Sequence, residues 1–99
     1  MARTYYIGDE ATAAGYRLAG AETRVPPEAD AADVFRRAME AETDLILLSA
    51  EIAAMLPRDE LAAAVLGDHP LVAIVPDVYG RHPAPDVARD VRLALGIEP

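Results

Sequence analysis

Two uninterrupted aliphatic runs, Leu45-Ile46-Leu47-Leu48 and Leu71-Val72-Ala73-Ile74-Val75, constrain the fold more than any other feature of the chain. A strand with one face in water alternates apolar and polar residues. A short run without alternation fits a strand buried on both faces, as in a parallel sheet sandwiched between helices. Thr4 to Ile7 reads as a first strand. Glu22 to Val25, short and stopped by Pro26-Pro27, reads as an edge strand. Helical stretches fall between them, so four strands alternate with four helices, the order of an α/β fold with a parallel sheet and helices on both faces.

The first helix is expected over about 11–18, with Ala11, Ala14, Gly15 and Leu18 turned to the sheet and Gly20 ending it. Gly15 inside that helix suggests a close approach of helix to sheet. A second helix over about 30–42 places Ala31, Val34, Phe35 and Ala38 inward. A third is broken at Pro57 and resumes through Leu61, Ala64 and Val65 to Gly67. After a loop rich in Pro and Gly over 77–85, a last helix is expected over 86–95, stopping at Gly96.

Ninety-nine residues make one domain, with residues 1–76 as the α/β core and 77–99 as its loop and C-terminal helix. Twenty-one alanines dilute the hydrophobic fraction, so burial rests on the aliphatic strands. The net charge of -8 repels phosphate backbones and anionic lipid, which argues against nucleic acid as a partner. All nine basic residues are arginine. The lack of lysine excludes Schiff-base chemistry and P-loop phosphate binding, and the lack of cysteine excludes disulfides and thiolate sites. The N-terminus has neither a signal peptide nor a membrane span, so a cytoplasmic location is expected.

Candidate chemistry is sparse. Gly8-Asp9-Glu10 follows the first strand, where ligands of open α/β sheets bind. An acidic pair there could hold magnesium as in a receiver domain, but that chemistry needs an aspartate ending the third strand and a later lysine. The third strand ends in Ser49-Ala50-Glu51 instead, and Asp44 stands at its other end. Asp9 is therefore read as a turn residue beside a helix N-terminus, and Ser49, the single serine, as an N-cap. His69 and His82 read as solvated loop residues without metal-ligand spacing. No catalytic, cofactor-binding or metal-binding residue is assigned, and no enzymatic activity is expected.

On a helical projection at roughly 100° per residue, Val87, Ala88, Val91, Ala94 and Leu95 share one face of the last helix. Leu93 falls opposite, flanked by Arg89 and Arg92, whose guanidinium forks suit carboxylates. These three form the expected partner interface.

The run from Ile7 to Gly20, with Gly8-Asp9 and then Gly15-Tyr16-Arg17-Leu18-Ala19-Gly20, resembles the opening of the F subunit of V/A-type rotary ATPases, with Tyr16 in place of a phenylalanine. Glu51-Ile52-Ala53 after the third strand, the strand from Leu71 to Pro76, and the ending from Val87 to Glu98 extend the resemblance over nearly the whole chain. It implies a receiver-like or Rossmann-like sheet ordered 2-1-3-4. It implies further a non-catalytic, monomeric rotor component docked on the coiled-coil D subunit of the shaft, modulating ATP hydrolysis or synthesis by the catalytic A and B subunits. Such a component would be cytoplasmic and attached to the membrane only through the complex, without inserting in it. The alternative class is a stand-alone receiver-like signalling or small-ligand module using the crevice near Asp9, Glu10 and Ser49.

Overall fold

The computed structural model describes residues 3–76. They form β1 (Thr4–Ile7), α1 (Glu10–Leu18), β2 (Glu22–Arg24), a 3-10 turn (Glu28–Asp30), α2 (Ala31–Glu40), β3 (Leu45–Ser49), α3 (Ala50–Met55), α4 (Arg58–Leu66) and β4 (Leu71–Val75). The expected loop over 77–85, the last helix over 86–95 and His82 lie outside the described residues.

All strand pairs are parallel, in the order β2-β1-β3-β4. The sheet is thus the one the family resemblance implies, with β2 at an edge. Tyr5 stands beside Ile46 and Ile46 beside Val72, while Ile7 stands beside Leu48 and Leu48 beside Ile74. Because partners in a parallel register share a face, these six define one side of the sheet. Phe35 and Ala38 of α2, Ile52 and Ala53 of α3, and Leu61 and Ala64 of α4 close over it in one continuous core. This layer holds the hydrophobic core cluster of the described residues, and burial of its apolar surface, at about 25 cal/mol per Å², favours the fold.

The opposite side presents Tyr6, Leu45, Leu47, Leu71 and Ala73, and α1 packs there through Tyr16, stacked on Tyr6 at a centroid distance of 4.8 Å. Here the expectation for α1 is corrected. Its buried residues are Thr12 and Ala13, with Tyr16 half-buried, whereas Ala11, Ala14 and Gly15 are exposed and Leu18 is 92% exposed. Gly15 faces open space, so it does not mediate a close approach. The Asp9 cap and the Tyr6–Tyr16 stack set the helix's rotation, and an alanine-rich helix has too little hydrophobic contrast to override them.

Other boundaries move by a few residues. The strand β2 ends one residue early, leaving Val25 46% exposed before the prolines. A 3-10 turn precedes α2, which ends at Glu40, two residues short of the expected end. Ala31, Phe35 and Ala38 are buried as expected, and Val34 is half-buried. Pro57 separates α3 from α4 as expected. Among the described residues no helix is long and apolar enough to cross a membrane.

Candidate functional site

At the carboxyl ends of β1 and β3 the chain departs to opposite sides of the sheet, the switch point at which doubly wound sheets bind ligands. A crevice of about 400 Å³ opens there, its walls including Gly8, Asp9, Glu10, Glu28, Glu51 and Met55. The polar groups that sequence reasoning placed here have local duties. Asp9 caps α1, its Oδ2 accepting from the Thr12 N–H at 2.9 Å and its Oδ1 from the Tyr6 hydroxyl at 3.1 Å. Burial pushes the Asp9 carboxyl up, but the hydrogen bonds from Thr12 and Tyr6 outweigh it and leave the group below its usual range. Burial and the adjacent Asp9 carboxylate push the Tyr6 phenol up to about 12, so it remains a neutral donor.

Ser49, 1% exposed, caps α3, with its Oγ accepting from the Ile52 N–H at 3.1 Å. Glu10 is paired with Arg17 at 3.0 Å. Both helix N-termini at the crevice are therefore capped by the chain itself, and the wall is carboxylate-rich, which opposes a phosphate-bearing ligand. His69 is far from any role as a base for Ser49. It sits at the amino end of the sheet with its Nε2 3.0 Å from Asp44 Oδ1, and Asp44 also accepts from the Arg3 N–H at 2.8 Å. Thus His69 is exposed, as expected of a loop histidine, but it has a carboxylate partner that the sequence reading did not foresee. Among the described residues no group of three or more His, Asp or Glu is placed to hold a metal ion.

Sequence reasoning missed the element that organises this end of the sheet. Tyr6 bridges Tyr16 of α1 and the Asp9 cap, and its phenol lies over Gly8. A Cβ on Gly8 would overlap the Tyr6 phenol and approach Ser49 Cβ to 2.8 Å. The available signal was the spacing of Tyr6, Gly8, Asp9 and Tyr16, which puts an aromatic pair and a side-chain-free residue around one cap.

The surface offers more than the crevice. On the sheet face shared with α1, Leu71 is 58% exposed and Ala73 is exposed, with Leu45 and Leu47 half-buried beside them. Together with Leu18 they leave apolar surface in water on the α1 side of the molecule, a feature of surfaces that meet partners. The expected interface residues Arg89, Arg92 and Leu93 lie outside the described residues.

A family model described as ATP synthase (F/14-kDa) subunit matches residues 5–91, from the first strand through most of the C-terminal stretch. No curated protein matches the chain.

Proposed function

The chain belongs to the ATP synthase (F/14-kDa) subunit family, and from that premise we propose that it is the non-catalytic F subunit in the rotor of a V/A-type ATPase. It docks on the coiled-coil D subunit of the shaft, turns with it, and modulates ATP hydrolysis or synthesis carried out by the A and B subunits. The observation that carries this reading is the family match over residues 5–91. The occupation of Asp9 and Ser49 as helix caps supports it, because the two residues best placed for chemistry at the switch point hold α1 and α3 in place. Isolated, the chain is a monomer. It works on the cytoplasmic side, held at the membrane by the complex. Residues 1–76 supply the folded core, and 77–99 continue it as part of the same domain.

The face of the C-terminal stretch bearing Arg89, Arg92 and Leu93 belongs to the shaft contact in this reading. The test is calorimetric titration of the full chain against the coiled-coil protein that co-purifies with it. Leu93→Glu should weaken binding by about tenfold or more, equivalent to about 1.4 kcal/mol, with an unchanged melting temperature. Leu95→Glu should lower the melting temperature instead, by burying an unpaired charge. Full-strength binding by the Leu93 variant removes that face from the interface. Failure of the tagged chain to co-purify with any coiled-coil component of an ATPase overturns the rotor reading.

A further inference from the structure

Most arginines among the described residues are committed. Arg3 donates to Glu22 at 3.1 and 3.2 Å, Arg17 to Glu10 at 3.0 Å, and Arg36 to both oxygens of Glu60 at 2.8 and 2.9 Å. Arg58 also has a partner. Two differ. Arg24 comes only within 3.8 Å of Glu22, the carboxylate that Arg3 already holds, and otherwise donates to the Thr23 carbonyl at 2.9 Å. Arg37, in the last turn of α2, makes no side-chain hydrogen bond or ion pair among the described residues.

Arg24 and Arg37 line one cavity of about 250 Å³ between the edge strand β2 and α2, together with Tyr5, Val34 and Ala38. The Arg24 guanidinium lies 5.3 Å from the centroid of the Tyr5 ring, and Arg3 lies over the same ring at 5.6 Å and donates to its hydroxyl at 3.4 Å. Two under-neutralised guanidinium groups thus share an apolar-walled recess on a chain whose net charge is -8. Like charges sharing a recess repel, and an anion between them turns that repulsion into attraction.

We propose that this cavity receives a carboxylate side chain, Glu or Asp, from the protein on which the chain docks; the proposal rests on the rotor reading. Size argues for one side chain, since pockets for small-molecule ligands usually run from about 300 to 1,000 Å³. Composition argues for a side chain over a free anion. Val34, Ala38 and the Tyr5 ring suit a methylene stem, and arginine forks match a carboxylate bidentately. The long-range field argues the same way: a free phosphate approaches against the chain's net negative charge, whereas a carboxylate on a docking surface is delivered by the rest of the interface.

The test uses the full chain and the purified coiled-coil protein that co-purifies with it, titrated calorimetrically, with thermal melts to verify folding. Arg37→Ala and Arg24→Ala should each weaken binding about tenfold or more, a range ordinary for truncating one partner of a buried charge pair. The double variant should be little worse than either single one, because both arginines act on one carboxylate. Arg37→Lys should restore part of the loss, and Arg36→Ala, whose guanidinium is committed to Glu60, should bind as the parent does. Equal affinities for all variants beside a binding parent overturn the cavity proposal and leave the rotor reading intact. A parent that binds no coiled-coil partner overturns both. Saturable micromolar shifts of the Arg24 and Arg37 side-chain resonances with inorganic phosphate, alongside unchanged partner binding by the variants, identify a free-anion site and likewise overturn the proposal.

Discussion

Gly8 and Gly15 show how differently one residue type is used within eight positions. Gly8 lies under the phenol of Tyr6, which is fully buried, stacked on Tyr16 and hydrogen-bonded to the Asp9 cap. The ring cannot swing aside for a new Cβ without giving up the stack or its hydrogen bond to Asp9. Gly8→Ala should therefore destabilise the domain by about 1–3 kcal/mol, the usual cost of overpacking. In a domain this small each kcal/mol lowers the melting temperature by roughly 4–8 °C. Gly15→Ala is the contrasting substitution, since the space around that position is open and its backbone is helical. It should raise stability by about 0.5–1 kcal/mol through helix propensity. Thermal melts of both decide the matter, and a Gly8→Ala variant that melts with the parent would show that Tyr6 is not pinned.

At the scale of elements, strands were far more legible than helix faces. The bounds of β1 and β4 are those the apolar runs suggest, and β3 runs one residue further, but burial on both faces is not what β4 shows: its α2 side is covered while Leu71 and Ala73 on the α1 side are exposed. The rotation of α1 was not legible. Alanines stand on every side of it, so composition does not distinguish its inner face, and the stack of Tyr16 on Tyr6 of β1 that does distinguish it is a tertiary feature. Leu18→Glu measures this directly. At 92% exposure it should change stability by no more than about 0.5 kcal/mol, whereas the inward placement expected from sequence would make it severely destabilising. Phe35→Ala on α2, 1% exposed, should cost about 3–5 kcal/mol. A large loss for Leu18→Glu would restore the sequence reading of α1. The same distinction separates the two parts of the site. Ser49 was readable as a cap, and Asp9 as a turn residue at a helix N-terminus, because both roles are local, within three residues. The recess holding Arg24 and Arg37 was not, because β2 and α2 assemble it only when the sheet forms.

Across the whole described region, carboxylates tie separate elements together, and their titration should contribute to the loss of stability in acid. Glu22 accepts from Arg3, joining β2 to the start of β1; Glu60 accepts from Arg36, joining α4 to α2. Asp44 joins His69 to the backbone of Arg3, and Asp9 holds α1 to the sheet through Tyr6. Hydrogen bonds from Tyr5 and Arg3 hold Glu22 below its ordinary range, the bond from Arg36 does so for Glu60, and the bond from His69 for Asp44. Asp9 also lies low, its burial outweighed by Thr12 and Tyr6. A carboxylate whose folded-state pKa is depressed favours the folded state most when both states are ionised, above the unfolded values of about 3.9–4.3. Its contribution is lost as pH falls through the lower folded-state value. The nine arginines stay charged throughout, so protonation of the carboxylates also leaves positive self-repulsion in place of a net charge of -8. The urea midpoint should accordingly show no loss from these groups between about pH 7 and 5 and fall below about pH 4. Glu60→Gln and Glu22→Gln should each lower the neutral midpoint slightly and flatten the acid limb, because a residue that cannot titrate cannot lose its contribution. Parent and variants should therefore converge as pH approaches 2. Curves that stay parallel from pH 7 to pH 2 would show that these ion pairs do not contribute to the loss of stability in acid.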